Sequence, residues 1–170
     1  HEVEAAVVAF RDALQDDPRM ADAYRGLGDA YFVKGQIGAA KDAYAEALRL
    51  NPKDAETQRQ ISLALVRSGS PEQALRRLRE LAAQNPDDGR TRFFLARALA
   101  ETGDARAAEQ EYREALKLLG RDAEVSFALG ELLNAQGRGA EALGQYQATL
   151  SMDETFAPAW YRVAQAALGN

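Results

Sequence analysis

The hydrophobic positions of the chain follow the spacing of one face of a helix. Between positions 21 and 35, apolar or small residues stand at Tyr24, Leu27, Gly28 and Tyr31, which is an i, i+3, i+4, i+7 stripe. No segment has the strict alternation of a half-buried strand, so the sequence predicts helices and almost no sheet. A second stripe of the same kind follows, at Ala40, Tyr44, Ala47 and Leu48.

The predicted helices end at residues that cannot easily continue them. Gly35 closes the first stripe, because glycine adopts left-handed dihedrals without a steric penalty. The Asn51–Pro52 pair closes the second, because proline lacks an N–H and restricts the residue before it. These boundaries predict two helices in about 34 residues.

The pair of helices repeats along the whole chain. Gly35, Gly69, Gly103 and Gly137 are 34 residues apart, and other columns keep the same step. The small column next to the core is Gly28, Ser62, Ala96, Gly130 and Ala164, and the large column of the second helix is Phe10, Tyr44, Leu78, Tyr112 and Tyr146.

This period divides the chain into four complete repeats and two halves. We predict one solenoid segment of about ten helices, taken from a longer protein. Complete repeats are predicted at 21–54, 55–88, 89–122 and 123–156, with a second half-repeat at 1–20 and a first half-repeat at 157–170.

The repeat resembles the tetratricopeptide repeat (TPR) family. Tyr24, Leu27, Gly28 and Tyr31 match the opening of the family's 34-residue motif, and the later small, aromatic and proline positions follow in order. Departures occur, since Gly120 and Glu154 replace the late proline. The resemblance implies an all-α fold, a right-handed superhelical α-solenoid of antiparallel helix pairs.

The resemblance also implies a concave groove lined by the fifth, ninth and twelfth residues of each repeat. In this chain the groove would be basic early and aromatic late, and we expect Gly26 to face it as well. The residues that we expect to form it are Arg25, Asp29, Phe32, Arg59, Leu63, Arg90, Phe93, Arg97, Phe127, Glu131 and Tyr161.

Two interpretations of the groove aromatics remain open. They can pack against apolar side chains of a partner, or they can fill the junction between neighbouring first helices. Because Phe94 adjoins Phe93, we expect one of the two rings to leave the core. The carboxylate clamp of the family's chaperone-binding members is not expected, since Asp29 and Phe94 stand at two of its positions. The asparagine ladder of the glycosyltransferase-linked members is absent.

The composition argues against nucleic-acid binding, membrane insertion, metal or cofactor binding and catalysis. The net charge of −5 disfavours a nucleic-acid partner. No apolar run reaches about 18 residues, so we expect no direct membrane insertion. The absence of cysteine and a single terminal histidine, His1, argue against metal, cofactor and catalytic sites. The Asp87–Asp88 pair is interpreted as a helix cap, not as an acid-base pair.

These observations predict a non-catalytic scaffold that binds a peptide or helix of an unidentified partner protein. One alternative is a self-assembly module, in which open ends associate head-to-tail. Another is a targeting arm of a larger bacterial complex for secretion, polysaccharide export or polarity, as the resemblance implies. The bacterial cytoplasm and the periplasm both remain open as the location.

Overall fold

A computed structural model describes residues 2–168, and over this range the chain forms ten α-helices and no strand. The prediction of an all-α solenoid of about ten helices is confirmed, and His1 lies outside the described residues. The helices are α1 Glu2–Asp16, α2 Ala21–Val33, α3 Ile37–Leu50, α4 Ala55–Arg67, α5 Pro71–Gln84, α6 Gly89–Glu101, α7 Ala105–Leu119, α8 Ala123–Ala135, α9 Gly139–Met152 and α10 Ala157–Leu168.

Aspartate caps start the first helices of three repeats. Asp54 accepts hydrogen bonds from the backbone N–H groups of Glu56 and Thr57 at the start of α4. Asp88 caps α6 with two such bonds, and Asp122 caps α8 with one, from the N–H of Val125. The interpretation of Asp88 as a cap is therefore confirmed, and these side chains satisfy N–H groups that have no partner within the helix.

A left-handed glycine follows the first helix of each complete repeat. Gly35 has a φ of 73°, and the N–H of Gln36 then reaches back to the carbonyl of Tyr31 at 2.9 Å. This closure satisfies a terminal carbonyl and turns the chain toward the second helix. Gly69, Gly103 and Gly137 share the positive φ.

The described chain falls into two compact units, and the boundary between Leu81 and Ala82 lies within α5. In the first unit, α2 packs against α1 and α3, and α4 packs against α3. The core of this unit includes Leu27, Tyr31, Tyr44 and Ile61.

In the second unit, α6 packs against α7, and α8 packs against α7 and α9. Helix α6 also contacts α8, and α10 packs against α9. The buried apolar side chains of this unit include Leu95, Leu99, Tyr112, Val125, Leu129, Leu133 and Tyr146.

The small column allows an aromatic ring to approach a helix backbone. A Cβ atom added at Gly28 would lie 2.5 Å from the ring of Tyr44, and one at Gly130 would lie 2.6 Å from that of Tyr146. Both distances are too short for any side chain without movement of the ring. The prediction that this column serves close helix packing is confirmed at both glycines.

Gly26 has a packing role beside the predicted surface role, since it also lines a cleft between α1 and α2. We expected it to shape the groove surface, yet a Cβ added at this position would lie 2.3 Å from Cζ of Phe10. The missing side chain makes room for the ring of α1 on the backbone of α2. Gly26 therefore has a packing role.

Substitution of Ala108 with leucine tests the packing of the small column. Ala108 is completely buried on α7, so added methyl groups are expected to lower the free energy of unfolding by about 1–3 kcal/mol. Urea denaturation measures this change. The control Ala45→Leu, at an exposed position on α3, should stay within about 0.5 kcal/mol. Equal stabilities of the two variants would contradict the assignment.

Candidate functional site

Four of the predicted groove residues line one cleft in the second unit. Phe93 and Arg97 come from α6, and Phe127 and Glu131 come from α8. The cleft has a volume of about 500 Å³, which is within the range of pockets that accept a ligand or a partner side chain. The other residues that line it are Ala100, Glu101, Tyr112, Glu124, Ala128, Leu132 and Ala135.

The ring of Phe93 lies inside the fold. Phe93 is 1% exposed and Phe94 is 6% exposed, and their rings meet edge to face with centroids 5.7 Å apart. The expectation that one of the two leaves the core is wrong. The ring of Phe93 also packs 6.0 Å from that of Tyr112, so burial of both phenylalanines is more favourable than exposure of either.

Phe127 is the more accessible ring of the cleft. Its side chain is half-buried, and its ring contacts those of Tyr146 and Phe156 at centroid distances of 5.6 and 5.1 Å. One face of the ring is thus fixed by packing within the second unit. A ring that is held in this way presents apolar surface at a small entropic penalty when a partner binds.

Arg97 is a cation that lies against aromatic rings. Its guanidinium carbon lies 5.6 Å from the centroid of Phe93 and 5.7 Å from that of Phe94, within the range of cation–π attraction. In the part of the chain that the structure describes, Arg97 has these ring contacts and forms no ion pair or hydrogen bond. Its hydrogen-bond donors therefore remain available in the cleft.

The hydroxyl of Tyr112 has no acceptor within residues 2–168, although the residue is 3% exposed and lines the cleft. Burial raises the pKa of this hydroxyl to about 12, while the charge of Arg97 acts in the opposite direction. A buried phenol usually donates a hydrogen bond. Tyr112 is therefore a second available donor beside Arg97.

The corresponding tyrosines of two other repeats do have acceptors. Tyr44 donates to Asp29 at 2.7 Å, and Tyr146 donates to Glu131 at 2.6 Å, with 15 residues between donor and acceptor in both pairs. The residue at this spacing before Tyr112 is Arg97. The third repeat thus places a cation where two others place a carboxylate.

Glu131 also accepts from Arg162, at 2.7 Å from Nε and 2.5 Å from Nη2. Burial alone would raise the pKa of Glu131, but the hydrogen bonds from Arg162 and Tyr146 outweigh it and lower the pKa. The carboxylate is therefore ionised at neutral pH and shared between two donors. Glu131 stabilises the fold as well as lining the cleft.

Asp29, in the first unit, accepts a hydrogen bond from the hydroxyl of Tyr44 and none from an arginine among the described residues. Burial raises the pKa of its carboxyl group, and the bond from Tyr44 opposes this effect without reversing it. The same burial and the Asp29 carboxylate raise the pKa of Tyr44. The Asp29 side chain therefore links α2 to α3, and it also lines the cleft between α1 and α2.

Two other predicted residues of the second unit lie elsewhere. Arg90 pairs with Glu124 at 3.0 Å and with Asp122 at 3.7 Å. Tyr161 is 62% exposed on α10, and its hydroxyl accepts from Gln165. Arg90 neutralises a carboxylate at the cleft, whereas Tyr161 is not among the residues that line it.

Two predicted groove residues of the first unit are buried. Leu63 is 1% exposed, because an apolar side chain gains free energy by leaving water. The stem of Arg59 is buried as well, and its guanidinium pairs with Glu56 at 2.6 Å. The expectation that both lie on an accessible groove surface is wrong.

The other first-unit candidates have partners of their own. Arg25 pairs with Asp22 at 3.1 Å and with Asp54 at 3.4 Å. The guanidinium of Arg67 lies 4.8 Å from the ring centroid of Phe32. Arg25 therefore already has carboxylate partners, whereas Arg97 has none among the described residues.

Sequence reasoning does not identify Tyr112 as a residue of the cleft, because the pattern of its column predicts a core position alone. The ring does belong to the core, but a tyrosine also carries a polar end. The 15-residue spacing to a carboxylate in two repeats, and to an arginine in the third, is the sequence signal that identifies it.

Metal-binding clusters and membrane-spanning helices are both absent from the described residues. Among them, no cluster of three or more histidine, aspartate or glutamate side chains is arranged to bind a metal ion. None of the helices within residues 2–168 combines the length and the apolar character that crossing a membrane requires.

The chain matches a known family of TPR domains. Residues 1–126 match the family described as the cytochrome c-type biogenesis protein H TPR domain. No curated protein matches the chain.

Several solved structures resemble the fold. A thermophilic TPR protein of Thermus thermophilus is 26% identical with a TM-score of 0.88, and the alignment covers 98% of this chain and 91% of that one. YrrB, described as a TPR protein with an unusual peptide-binding site, is 24% identical with a TM-score of 0.61 over 94% and 82% of the two chains. MamA is 23% identical with a TM-score of 0.64 over 84% of each chain.

The raised pKa of Tyr112 predicts a loss of stability in alkali. Below pH 10 the phenol keeps its proton in both states; between pH 10 and 12 the unfolded chain releases it and the folded chain retains it. The free energy of unfolding should therefore fall over this range, by up to about 2–3 kcal/mol for this group. Tyr44 and Tyr146 contribute in the same direction.

Urea denaturation at pH 9, 10, 11 and 12 measures this effect. The variant Tyr112→Phe lacks the titrating group and should lose less stability over the same range than the unsubstituted chain. Identical pH profiles for the two proteins would show that Tyr112 does not titrate differently in the folded and unfolded states.

Proposed function

The chain belongs to the TPR family described as the cytochrome c-type biogenesis protein H TPR domain, and from this premise we propose that it is a non-catalytic scaffold. It binds a segment of a partner protein in the cleft between α6 and α8. The sequence supports the non-catalytic part, because the chain has no cysteine and a single histidine.

The observation that carries the proposal is the composition of the cleft. It combines apolar surface from Phe127, Ala128 and Leu132 with unpaired donors on Arg97 and Tyr112. An apolar pocket with a few convergent polar groups is the usual form of a recognition site. Tyrosine and arginine are also the residue types that most often dominate the binding energy of protein interfaces.

The family description supports a role in the biogenesis of c-type cytochromes, and we place the protein in the bacterial periplasm on the same ground. Partner binding in this fold is further supported by the peptide-binding site reported for YrrB, which shares the TPR architecture. We propose on this basis that the partner is a protein that takes part in assembling c-type cytochromes.

Substitution of Ala100 with phenylalanine tests the binding role of the cleft. Phe32 occupies the corresponding position of an earlier repeat, so α6 is expected to tolerate the ring. Because the ring would fill the cleft, the affinity for dodecapeptides selected by phage display on the unsubstituted protein should fall about tenfold or more. Isothermal titration calorimetry measures the affinity.

The matched control is Ala45→Phe, which adds the same ring at an exposed position on α3 in the first unit. It should bind the selected peptides within about twofold of the unsubstituted protein. Full affinity in the Ala100→Phe variant would place the binding surface outside the cleft. Failure of the selection to yield any binding peptide would also contradict the proposed function.

The role in cytochrome biogenesis is tested in the source bacterium. Deletion of the gene is expected to lower the amount of haem-bound c-type cytochrome, measured by haem staining of separated proteins, and the Ala100→Phe gene should not restore it. Unchanged haem staining after deletion would contradict the biogenesis role and leave the binding role standing.

A further inference from the structure

We propose that the cleft between α6 and α8 recognises an acidic side chain, a glutamate or aspartate that a helical partner segment presents beside an apolar residue. The inference rests on the proposed binding function and specifies the chemistry of the partner. Arg97 and Tyr112 donate hydrogen bonds to the carboxylate, and Phe127 packs against the neighbouring apolar side chain.

The first argument is the presence of two donors without an acceptor. Tyr112 is 3% exposed and lines the cleft, and among the described residues its hydroxyl makes no hydrogen bond. Arg97 lines the same cleft without an ion pair to any described residue. A carboxylate accepts from both kinds of donor at once, and charge-assisted bonds of this type are among the strongest in proteins.

The second argument is a carboxylate that the protein already binds with the same two residue types. In the fourth repeat, Glu131 accepts from the hydroxyl of Tyr146 at 2.6 Å and from Nε and Nη2 of Arg162 at 2.7 and 2.5 Å. An arginine and a buried tyrosine therefore suffice to bind a carboxylate in this architecture.

The third repeat also combines a tyrosine and an arginine, but no carboxylate of the described residues pairs with either of them. The positions that correspond to Tyr146, Glu131 and Arg162 are Tyr112, Arg97 and Ala128. The tyrosine is retained, the carboxylate is replaced by arginine, and the small side chain of Ala128 leaves room in the cleft. A carboxylate from outside the chain would complete the set.

The charges that line the cleft permit one carboxylate. Glu124 is paired with Arg90, and Glu131 is paired with Arg162. Arg97 remains as the cation of the cleft that has no ion pair in the described part of the chain. Glu101, exposed at the cleft four residues after Arg97, repels any acid; Arg97 offsets this repulsion for one carboxylate and not for a run of acidic residues.

We take the source of the carboxylate to be a side chain on a helix, because Glu131, which binds Tyr146 and Arg162, is such a side chain. Glu131 reaches Tyr146 and Arg162 from α8, with its backbone already satisfied by the helix. A partner helix can present a glutamate together with an apolar residue one turn away, toward Phe127. A free C-terminal carboxylate is the competing source, and peptides that are fused or amidated at that end exclude it.

Peptide selection followed by calorimetry tests the proposal. Phage-displayed random dodecapeptides are fused at their carboxyl ends, so only side chains can supply a carboxylate. Those selected on the unsubstituted protein should contain a glutamate or aspartate near an apolar residue. In amidated synthetic copies, replacing this glutamate with glutamine, or aspartate with asparagine, should weaken binding about tenfold or more.

Arg97→Glu is the decisive variant. It restores the carboxylate that two other repeats place 15 residues before a tyrosine, so the fold should be retained, which thermal unfolding verifies. The variant should lose the acidic peptides, with an affinity at least about tenfold lower. Tyr112→Phe, which removes one hydroxyl, should lower the affinity by a smaller factor.

The matched control is Arg106→Glu, an equal charge reversal at an exposed position in the first turn of α7. It should bind the acidic peptides within about twofold of the unsubstituted protein. Equal weakening in the Arg106→Glu and Arg97→Glu variants would mean that net charge alone is responsible, and would overturn the proposal.

The remaining outcomes separate this inference from the proposed function. If the selected peptides lack acidic residues but still lose affinity for Ala100→Phe, the carboxylate proposal is wrong and the binding role stands. If acidic peptides bind the Arg97→Glu variant with unchanged affinity, the same conclusion follows. If Ala100→Phe binds every selected peptide normally, both proposals fail.

Discussion

The structure depends on the approach of one aromatic ring to the backbone of the preceding helix. Tyr44 and Tyr146 lie so close to Gly28 and Gly130 that a Cβ atom at either glycine would collide with the ring. This contact fixes the distance between the two helices of a repeat. It also fixes where the phenol oxygen emerges, namely beside the ninth residue of the first helix, where Asp29 and Glu131 accept from it. A packing contact thus determines a polar one.

In the cleft between α6 and α8, the packed tyrosine does not find a carboxylate at the ninth position. The ring of Tyr112 is still packed in the core, beside Phe93, but the ninth residue of its repeat is Arg97, whose guanidinium lies against two phenylalanine rings. Two donors therefore face a cleft of about 500 Å³. The chemical character of this cleft changes at two positions, where Arg97 and Ala128 stand in place of Glu131 and Arg162 of the fourth repeat.

The period of 34 residues and the stop signals were enough to predict the helices and the small column, because both follow from local geometry. The site was predicted only in part. Phe93, Arg97, Phe127 and Glu131 do meet in one cleft, but the burial of Phe93, Arg59 and Leu63 depends on how neighbouring helices pack. A repeat column gives the face of a helix on which a residue lies, and it does not give the space left there by the next helix.

The hydrogen bond between the tyrosine and the ninth residue also limits how such a repeat can diversify. An apolar residue in place of a ninth-position carboxylate leaves the phenol without its acceptor, which favours loss of the phenol as well. The chain itself obeys this rule, since the second repeat carries Leu63 at the ninth position and Leu78 in place of the tyrosine. New binding specificities in this protein would therefore arise through paired changes at positions 15 residues apart, and libraries for engineering it should vary these two positions together.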